Sequence, residues 1–501
     1  MTAVTPPAQQ QSSERTFLGH PRGLATLFNI ELWERFSYYG MRAILLYYIV
    51  DTTAKGGLGL DQSLGEAVVV TYGAAVYLLS VIGGWLADRV IGAQRSVFLG
   101  GVVIMAGHLS LAVPTATTSW LGIALVALGT GLLKPNVSTM VGHLYLERDP
   151  RRDSGFTIFY MSINVGAFFS PFVVAFLRGQ WGYHAGFAAA AVGMFFALIA
   201  YVVGRRSLDP RSAQVPHPLS ARDRTRVPLL AGGLIALTAA TVLISRAWRG
   251  TWFDAVIDAV AILSVLASVS YFVVMFRSSD VTPTERNHLR AYLPLWIGAV
   301  FFWMIFEQAA SKMAAYAANR TDLDSLGFDF SPEWFQSVNP VTIMVLAPLF
   351  GLLWVRRAGR FPSTPMKFAL GVTLAGLSFV VLSAAAAAFP GATSPVYVLV
   401  GVFVIQTLGE LCLSPVGLSA TTTLAPKAFA SQAMALWFLA PATGQSLAAQ
   451  IIRAMEGLPD GTFFLTLGLM AVVVGLALAA ISPWVHARMR DAEPDHEAVT
   501  T

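Results

Sequence analysis

Fourteen long apolar segments, separated by charged loops or by Pro and Gly, constrain this chain of 501 residues more than any other feature. About 20 helical residues span the hydrocarbon core of a bilayer, and the segments have that length. The chain is 55% hydrophobic and 12% charged, about half the charged share of an ordinary soluble protein. We therefore predict an all-α membrane protein that crosses the bilayer fourteen times. The segments are 24–50, 66–88, 95–114, 118–146, 156–178, 184–205, 227–246, 252–276, 291–317, 336–356, 365–389, 394–424, 430–452 and 462–487.

The segments form groups of six, two and six. A polar, arginine-rich connector follows the first six, and two further segments precede the last six. Many transporters consist of two related bundles with a substrate site between them near the bilayer midplane, so we expect two six-helix bundles and two extra central helices. The predicted division is a cytoplasmic tail at 1–23, a first bundle at 24–205, a connector with two extra helices at 206–290, a second bundle at 291–487 and a cytoplasmic tail at 488–501.

Basic residues are distributed unevenly between the loops on the two sides. The basic side carries Arg15, Arg22, Arg89, Arg95, Arg148, Arg151, Arg152, six arginines within 205–226, Arg356, Arg357, Arg360, Lys427, Arg488 and Arg490. Because basic loops stay in the cytoplasm, both termini are expected there, in a multi-pass protein of the plasma membrane. The N-terminus lacks the features of a cleaved signal. Arg246 and Arg249, between the two central segments, are an exception that the sequence does not explain.

The first segment carries charges where charge is unfavourable. At about 100° per residue, its polar side chains share one face of a helix; they are Glu31, Glu34, Arg35, Tyr38 and Arg42. An ionised side chain at mid-membrane costs about 2.5–3.5 kcal/mol, so such groups usually face a wet cavity or one another and mark a substrate or ion path. The alternative is a stripe of salt bridges at a helix end.

Three other segments place ionisable groups at depth, namely Lys134, Glu307 and Glu410. The first bundle thus holds cations beside its glutamates, whereas the second holds mainly carboxylates. A zwitterion fits between them, with its carboxylate on an arginine of the first segment and on Lys134, and its ammonium on Glu410. The alternative is a purely structural role, in which these charges only pair with one another and hold the bundles together.

Buried carboxylates beside cations also suit proton coupling, because gaining or losing a partner changes proton affinity. Spacing does not rank the candidates Glu31, Glu34 and Glu307, or their partners Arg35, Arg42 and Lys134.

Neutral polar groups complete the expected cavity. They are Asn164, Asn339, Tyr38, Tyr39, Tyr77 and Trp437. Helix packing is the alternative role for each aromatic ring, and an inter-helix hydrogen bond is the alternative for each asparagine.

Other function classes have little support. The sequence contains no phosphate-binding GxxxxGK, no HExxH and no nucleophile elbow, and such motifs are the marks of the commonest nucleotide, zinc and hydrolase sites. Its single cysteine, Cys412, cannot form an intramolecular disulfide. We therefore expect neither an enzyme nor a receptor, no cofactor or metal, and no nucleic-acid partner.

Three motifs resemble those of the proton-dependent oligopeptide transporter family, within the major facilitator superfamily. ELWERFSYYG, beginning at Glu31, is similar to the family's ExxERFxYYG motif; FYMSINVGA, around Asn164, resembles its fifth-span signature, and GELCLSPVGLS, around Glu410, its tenth-span motif. FEQ, QSVNP and LWFL also match its pattern. The resemblance runs from Glu31 to Leu439. It implies a major facilitator fold and a symporter that imports di- and tripeptides with protons by alternating access, with two extra helices as in bacterial members.

The resemblance also implies individual roles. The substrate-binding residues are Arg35 and Lys134 for the peptide's carboxyl end, Asn164, Asn339 and Glu410 for its amino end and backbone, and Tyr38, Tyr39, Tyr77 and Trp437 for its side chains. The proton-coupling residues are Glu31, Glu34, Arg42 and Glu307, with Lys134 as the salt-bridge partner of the ExxER residues and Arg42 as the partner of Glu307 on the outer side.

Two departures from the family pattern stand out. APATGQ follows LWFL, so that Pro441 and Gln445 leave the pocket shape on the eleventh span open. The second segment has no histidine of the kind that animal members use, so proton coupling should rest on carboxylates. The alternative function is a transporter of the same fold that carries another anion or a drug-like zwitterion.

Overall fold

The computed structural model describes residues 16–146, 149–357 and 360–492. Within them the chain forms fifteen α-helices, together with short 3₁₀ and π-helical turns. They are α1 (Arg22–Val50), α2 (Gln62–Leu86), α3 (Ala93–Ala112), α4 (Ala116–His143), α5 (Arg152–Trp181), α6 (Tyr183–Gly204), α7 (Ala221–Arg249), α8 (Trp252–Arg277), α9 (Pro283–Phe306), α10 (Lys312–Arg320), α11 (Val338–Arg356), α12 (Thr364–Ala388), α13 (Val396–Leu424), α14 (Ala430–Ala454) and α15 (Asp460–Ala492). Two short strands, β1 (Thr321–Asp322) and β2 (Ser394–Pro395), pair in parallel.

Each predicted segment corresponds to a helix, which confirms the prediction of fourteen crossings, because α9 and α10 together make one. By length and composition, twelve crossings in the described residues are apolar enough for a bilayer. The exceptions are α1, which carries the charged stripe, and α14. The parts of the predicted tails before residue 16 and after residue 492, together with Arg148, lie outside the described residues.

The main difference in boundaries is at α9, which begins at Pro283 although the apolar segment begins at residue 291. Thr282 accepts a hydrogen bond from the backbone N–H of Glu285, and the Glu285 carboxylate accepts one from the backbone N–H of Thr282. This capping box, with Pro at the first helical position, starts the helix in polar sequence. Hydropathy therefore locates the membrane crossing, and the cap locates the start of the helix.

Buried apolar side chains form two large clusters. One is built mainly from α1 to α6 and the other mainly from α8, α9 and α12 to α15. Ala67 and Val70 of α2 belong to the second cluster, whereas Ala310 and Ala314 belong to the first. The start of α2 and the region around α10 are therefore where the two halves of the chain pack against each other.

Glycines allow the helices of the first half to approach closely. A Cβ on Gly83 of α2 would lie 2.1 Å from the carbonyl oxygen of Gly131 on α4. Contact between backbones at such distances requires the absence of a side chain. The next residue, Gly84, has room, because its nearest neighbour would be 3.7 Å away.

The two extra helices form a hairpin on one side of the molecule. α8 contacts α14 through Asp254, which accepts a hydrogen bond from Arg453 at 3.0 Å, and through Ser268, which is 3.0 Å from Thr443. Arg249 donates to Asp258 at 3.1 Å and to Gln450 at 3.0 Å. This pairing accounts for Arg249, one of the two arginines that depart from the charge pattern, whereas Arg246 lies over the Trp252 ring.

Below, the basic end is the end where α1 begins and α15 ends, and the opposite end is where α1 ends and α2 begins.

Candidate functional site

A cavity of about 200 Å³ lies between the two halves of the chain. It is near mid-membrane, because its lining residues Tyr38, Asn164 and Glu410 are close to the midpoints of α1, α5 and α13. Nine residues singled out from the sequence line it: Tyr38, Tyr39, Arg42, Tyr77, Lys134, Asn164, Glu307, Asn339 and Glu410. Most of the polar residues that line the cavity were therefore predicted from the sequence.

The lining also includes residues that sequence reasoning missed, among them Tyr160, Trp303, Gln336 and Gln406. Tyr160 and Gln406 are four residues before Asn164 and Glu410, Trp303 is four before Glu307, and Gln336 is three before Asn339. Residues three or four apart share a helix face. These residues could therefore have been found by looking one helical turn before each predicted residue.

Lys134 faces the cavity from α4. Its ammonium nitrogen lies 3.8 Å from the centroid of the Tyr77 ring, a cation–π contact. Among the described residues it has no carboxylate within salt-bridge distance, so it does not form the expected pair with the ExxER glutamates in this conformation. An unpaired cation on the wall of a cavity can accept an anionic group of a ligand.

On the other side of the cavity, Glu410 of α13 is held by Asn339 of α11. The Asn339 amide donates to Glu410 Oε2 at 2.8 Å and to Thr407 Oγ1 at 3.0 Å. The Asn164 amide donates to the carbonyl oxygen of Tyr160 at 3.0 Å. No basic side chain lies within salt-bridge distance of Glu410 in the described residues, so its carboxylate can receive a cationic group.

The ExxER residues pair with one another on α1. Arg35 Nε lies 3.1 Å from Glu31 Oε1 and 2.5 Å from Glu34 Oε2, and all three side chains are buried. Arg35 Nη2 and both Glu34 oxygens lack a hydrogen-bond partner among the described residues. Arg35, Glu31 and Glu34 are not part of the cavity lining; Arg35 lies behind Tyr38, with its guanidinium 5.3 Å from that ring.

Trp437 is also outside the cavity lining. Its ring packs onto Gly417 of α13, where a Cβ would come within 2.1 Å of it. The missing side chain of Gly417 leaves the hollow that the indole fills. In this conformation the ring therefore packs two helices together, and the expected pocket contact is not made.

Arg42 and Glu307 join α1 to the break between α9 and α10. Arg42 Nη2 lies 2.6 Å from Glu307 Oε2 and donates to the Glu307 carbonyl oxygen at 3.2 Å, as the resemblance implied. Glu307 begins a 3₁₀ turn, Glu307–Ala310, after which Ser311 breaks the helix. Such interruptions often mark functional hinges, and this one places the ion pair on the wall of the cavity.

Further contacts close the opposite end. Arg178 at the end of α5 lies 2.8 Å from Glu333, which precedes α11 and is fully buried. Lys312 of α10 lies 2.9 Å from Glu66 of α2 and 3.1 Å from Asp460 of α15. Tyr47 and Ser311 add hydrogen bonds between the halves, to Ala314 and to Glu66.

Within the described residues, the hydrogen bonds and ion pairs between the first six helices and the last six lie at mid-depth or towards the opposite end. The structure is therefore in a conformation closed at that end. A helical membrane protein with a charged cavity between two halves, locked on one side, is a transport protein of the alternating-access class.

Comparisons with known proteins specify the family. A profile described as "POT family" matches residues 94–463. The chain is 46% identical to "Uncharacterized transporter YclF" of Bacillus subtilis (strain 168), over 95% of this chain and 96% of that one. It is 42% identical to "Di-/tripeptide transporter" of Lactococcus lactis subsp. cremoris, over 94% and 96%. The chain belongs to the POT family, the proton-dependent oligopeptide transporters that its motifs resemble.

Solved structures agree with this assignment. A crystal structure of "peptide transporter POT in complex with sulfate" superposes with a TM-score of 0.90 at 47% identity, covering 95% of this chain and 97% of that one. A "POT family transporter in complex with 5-aminolevulinic acid" superposes with a TM-score of 0.89 at 36% identity, covering 94% and 98%. The major facilitator fold with two extra central helices is therefore the fold of this chain.

Proposed function

We propose that this protein is a symporter that imports di- and tripeptides with protons across the bacterial plasma membrane by alternating access, with both termini in the cytoplasm. The observation that carries the proposal is the central cavity, which has the unpaired cation Lys134 on one wall and the carboxylate Glu410 on another. A peptide zwitterion has the complementary charges at its two ends. The names of the relatives support the same substrate class.

In this proposal Lys134 receives the peptide carboxylate, and Arg35 joins it when the Tyr38 ring moves. Glu410, held by Asn339, receives the ammonium, while Asn164 bonds the peptide backbone. Tyr39 and Tyr77 contact the side chains, and Trp437 joins them in another conformation. Lys134 and Glu410 thus determine the direction in which the peptide binds. The peptide's side chains then contact the aromatic residues of the cavity wall.

Proton coupling is proposed to act through the ion pair between Arg42 and Glu307. A proton on Glu307 neutralises the carboxylate and weakens its attraction for Arg42. The opposite end can then open, and losing the proton restores the closed state. Glu31 and Glu34 are proposed to link this step to the substrate, because a peptide carboxylate near Arg35 competes with them for the same guanidinium.

The experiment is uptake by purified protein in liposomes. An inward proton gradient should drive accumulation of dialanine above a gradient-free control, and no accumulation would refute symport. Glu31→Gln or Glu34→Gln should reduce gradient-driven uptake more than peptide counterflow, because only the first requires proton coupling. Equal loss of both would assign these residues a structural role.

Glu410→Ala tests the ammonium site. The variant should bind dialanine more weakly while N-acetylated dialanine, which lacks the ammonium, binds with the same affinity as to the wild type. Competition against labelled dialanine by a series of short peptides and by 5-aminolevulinic acid separates a peptide carrier from a carrier of other zwitterions. Unchanged affinity for dialanine would contradict the role of Glu410.

A further inference from the structure

A second and larger cavity of about 1040 Å³ lies at the basic end of the first bundle, away from the central site. It is a cleft between the start of α1 and the end of α6, with Leu144 and Leu146 on a further side. We call it the α1–α6 cleft; its walls include Arg22, Ala25, Asn29, Ala200, Val203 and Arg206. A hydrogen bond of 3.0 Å between Thr26 and Ser207 forms its floor.

Two arginines at the mouth of the α1–α6 cleft have no partner among the residues that the structure describes. Arg22 and Arg206 are exposed, and neither makes a hydrogen bond or ion pair with any described residue. A nearby arginine differs, since Arg151 lies 2.9 Å from Asp149. The mouth therefore carries two guanidinium groups that the described residues leave uncompensated.

One side of the α1–α6 cleft is apolar and continues towards the bilayer core. The two carboxylates in the lining, Asp149 and Asp209, are each paired with an arginine, Arg151 and Arg211. Val203 is 76% exposed and Leu146 is 74% exposed. Deeper along the same two helices, the rings of Trp33 and Phe196 lie 5.0 Å apart and Phe195 is 53% exposed. A row of exposed apolar side chains thus extends from the arginines at the mouth of the cleft along the side of α6.

We propose that the α1–α6 cleft binds a phospholipid with an anionic headgroup. Arg22 and Arg206 bond its phosphate, because the guanidinium fork matches phosphate oxygens, and Asn29 adds a polar contact. One acyl chain lies along Ala25, Ala200 and Val203. Basic pockets between membrane helices at a basic surface suit anionic lipid headgroups. The apolar wall favours a lipid over a soluble phosphate, which would leave that wall empty.

Native mass spectrometry of the full chain, titrated with phosphatidylglycerol, tests the proposal. The variant Arg22→Gln/Arg206→Gln should bind the lipid about 30-fold more weakly, given about 1 kcal/mol for each basic residue near a membrane surface and tenfold per 1.4 kcal/mol. The control Arg95→Gln/Arg226→Gln removes the same charge from exposed positions at the same end, outside the cleft. It should retain wild-type affinity, and equal weakening in both variants would overturn the proposal.

Two further experiments distinguish a phospholipid from a soluble phosphate as the ligand. Ala25→Trp places an indole ring where the acyl chain is proposed to lie and leaves the charge unchanged, so it should also weaken phosphatidylglycerol binding. Wild-type affinity in this variant would overturn the assignment. Glycerol 3-phosphate carries the phosphate without acyl chains and should not displace the lipid at equal concentration. Displacement would show a site for a soluble phosphate. Gel filtration of each variant establishes that it is folded before the titration.

Discussion

The ion pair between Arg42 and Glu307 gives the sharpest test of how the opposite end is closed. In Glu307→Gln the shape of the side chain is kept, and the backbone contact at 3.2 Å can remain, but the charged contact at 2.6 Å becomes a neutral hydrogen bond. A charge-assisted bond contributes about 1.5–3 kcal/mol and a neutral one about 0.5–1.5. The midpoints of these ranges differ by about 1.25 kcal/mol, which is about an eightfold change in an equilibrium constant.

The ratio of closed to open molecules at the opposite end should therefore fall at least about eightfold, because Arg42 is mostly buried and also loses its charged partner. Spin labels on Ala54→Cys and Leu326→Cys, in exposed loops of the two halves at that end, report the change as a longer distance in pulsed electron resonance. Cys412 is the chain's single cysteine, so Cys412→Ala gives a clean background.

Glu456→Gln is the matched control, because Glu456 pairs with Arg453 within one bundle at the same end and is 49% exposed. An exposed pair contributes about 0–1 kcal/mol, so its distance distribution should not change. If Glu307→Gln leaves the distribution as it is, or if both variants change it equally, the proposed lock between the bundles is wrong.

Two other contacts give predictions about stability. Gly83→Ala should lower the unfolding temperature, because overpacking costs about 1–3 kcal/mol and the added Cβ would meet the Gly131 carbonyl oxygen at 2.1 Å. Gly84→Ala is the control and should leave the unfolding temperature unchanged, because the nearest neighbour of its Cβ would be 3.7 Å away. Equal effects of the two substitutions would contradict the packing argument. Asp254→Asn should loosen the α7–α8 hairpin from α14 and lower the unfolding temperature, since it removes the charged partner of Arg453 on the hairpin, at 3.0 Å. Exposed Asp280→Asn is its control, and an unchanged temperature in Asp254→Asn would show that the pair does not anchor the hairpin.

The long apolar segments located the fourteen crossings, because a helix needs about 20 mainly apolar residues to span the bilayer, although α1 and α14 are less apolar than the other twelve. It could not locate the start of α9, which depends on a hydrogen-bonded cap at Thr282. Nor could it account for Arg249, whose partner Asp258 lies across a hairpin. Such contacts depend on the rotation and depth of neighbouring helices, which a single sequence does not specify.

The candidate site shows the same division. Helical spacing correctly placed Tyr38 and Arg42 on one face of α1, and both line the cavity. Arg35 belongs to the same stripe but bonds Glu31 and Glu34 beside it, behind the Tyr38 ring. Lys134 packs on Tyr77, and Trp437 fills the hollow at Gly417. Motifs predicted the residues, whereas their partners depend on which conformation the two halves adopt.

The central claim is that a peptide zwitterion lies in the cavity between Lys134 and Glu410. A structure determined with bound dialanine tests it most directly. The account predicts the peptide carboxylate within hydrogen-bond distance of Lys134, about 3 Å, and the ammonium at a similar distance from Glu410. A peptide bound in the reverse direction, or outside the cavity that these two residues line, would contradict it.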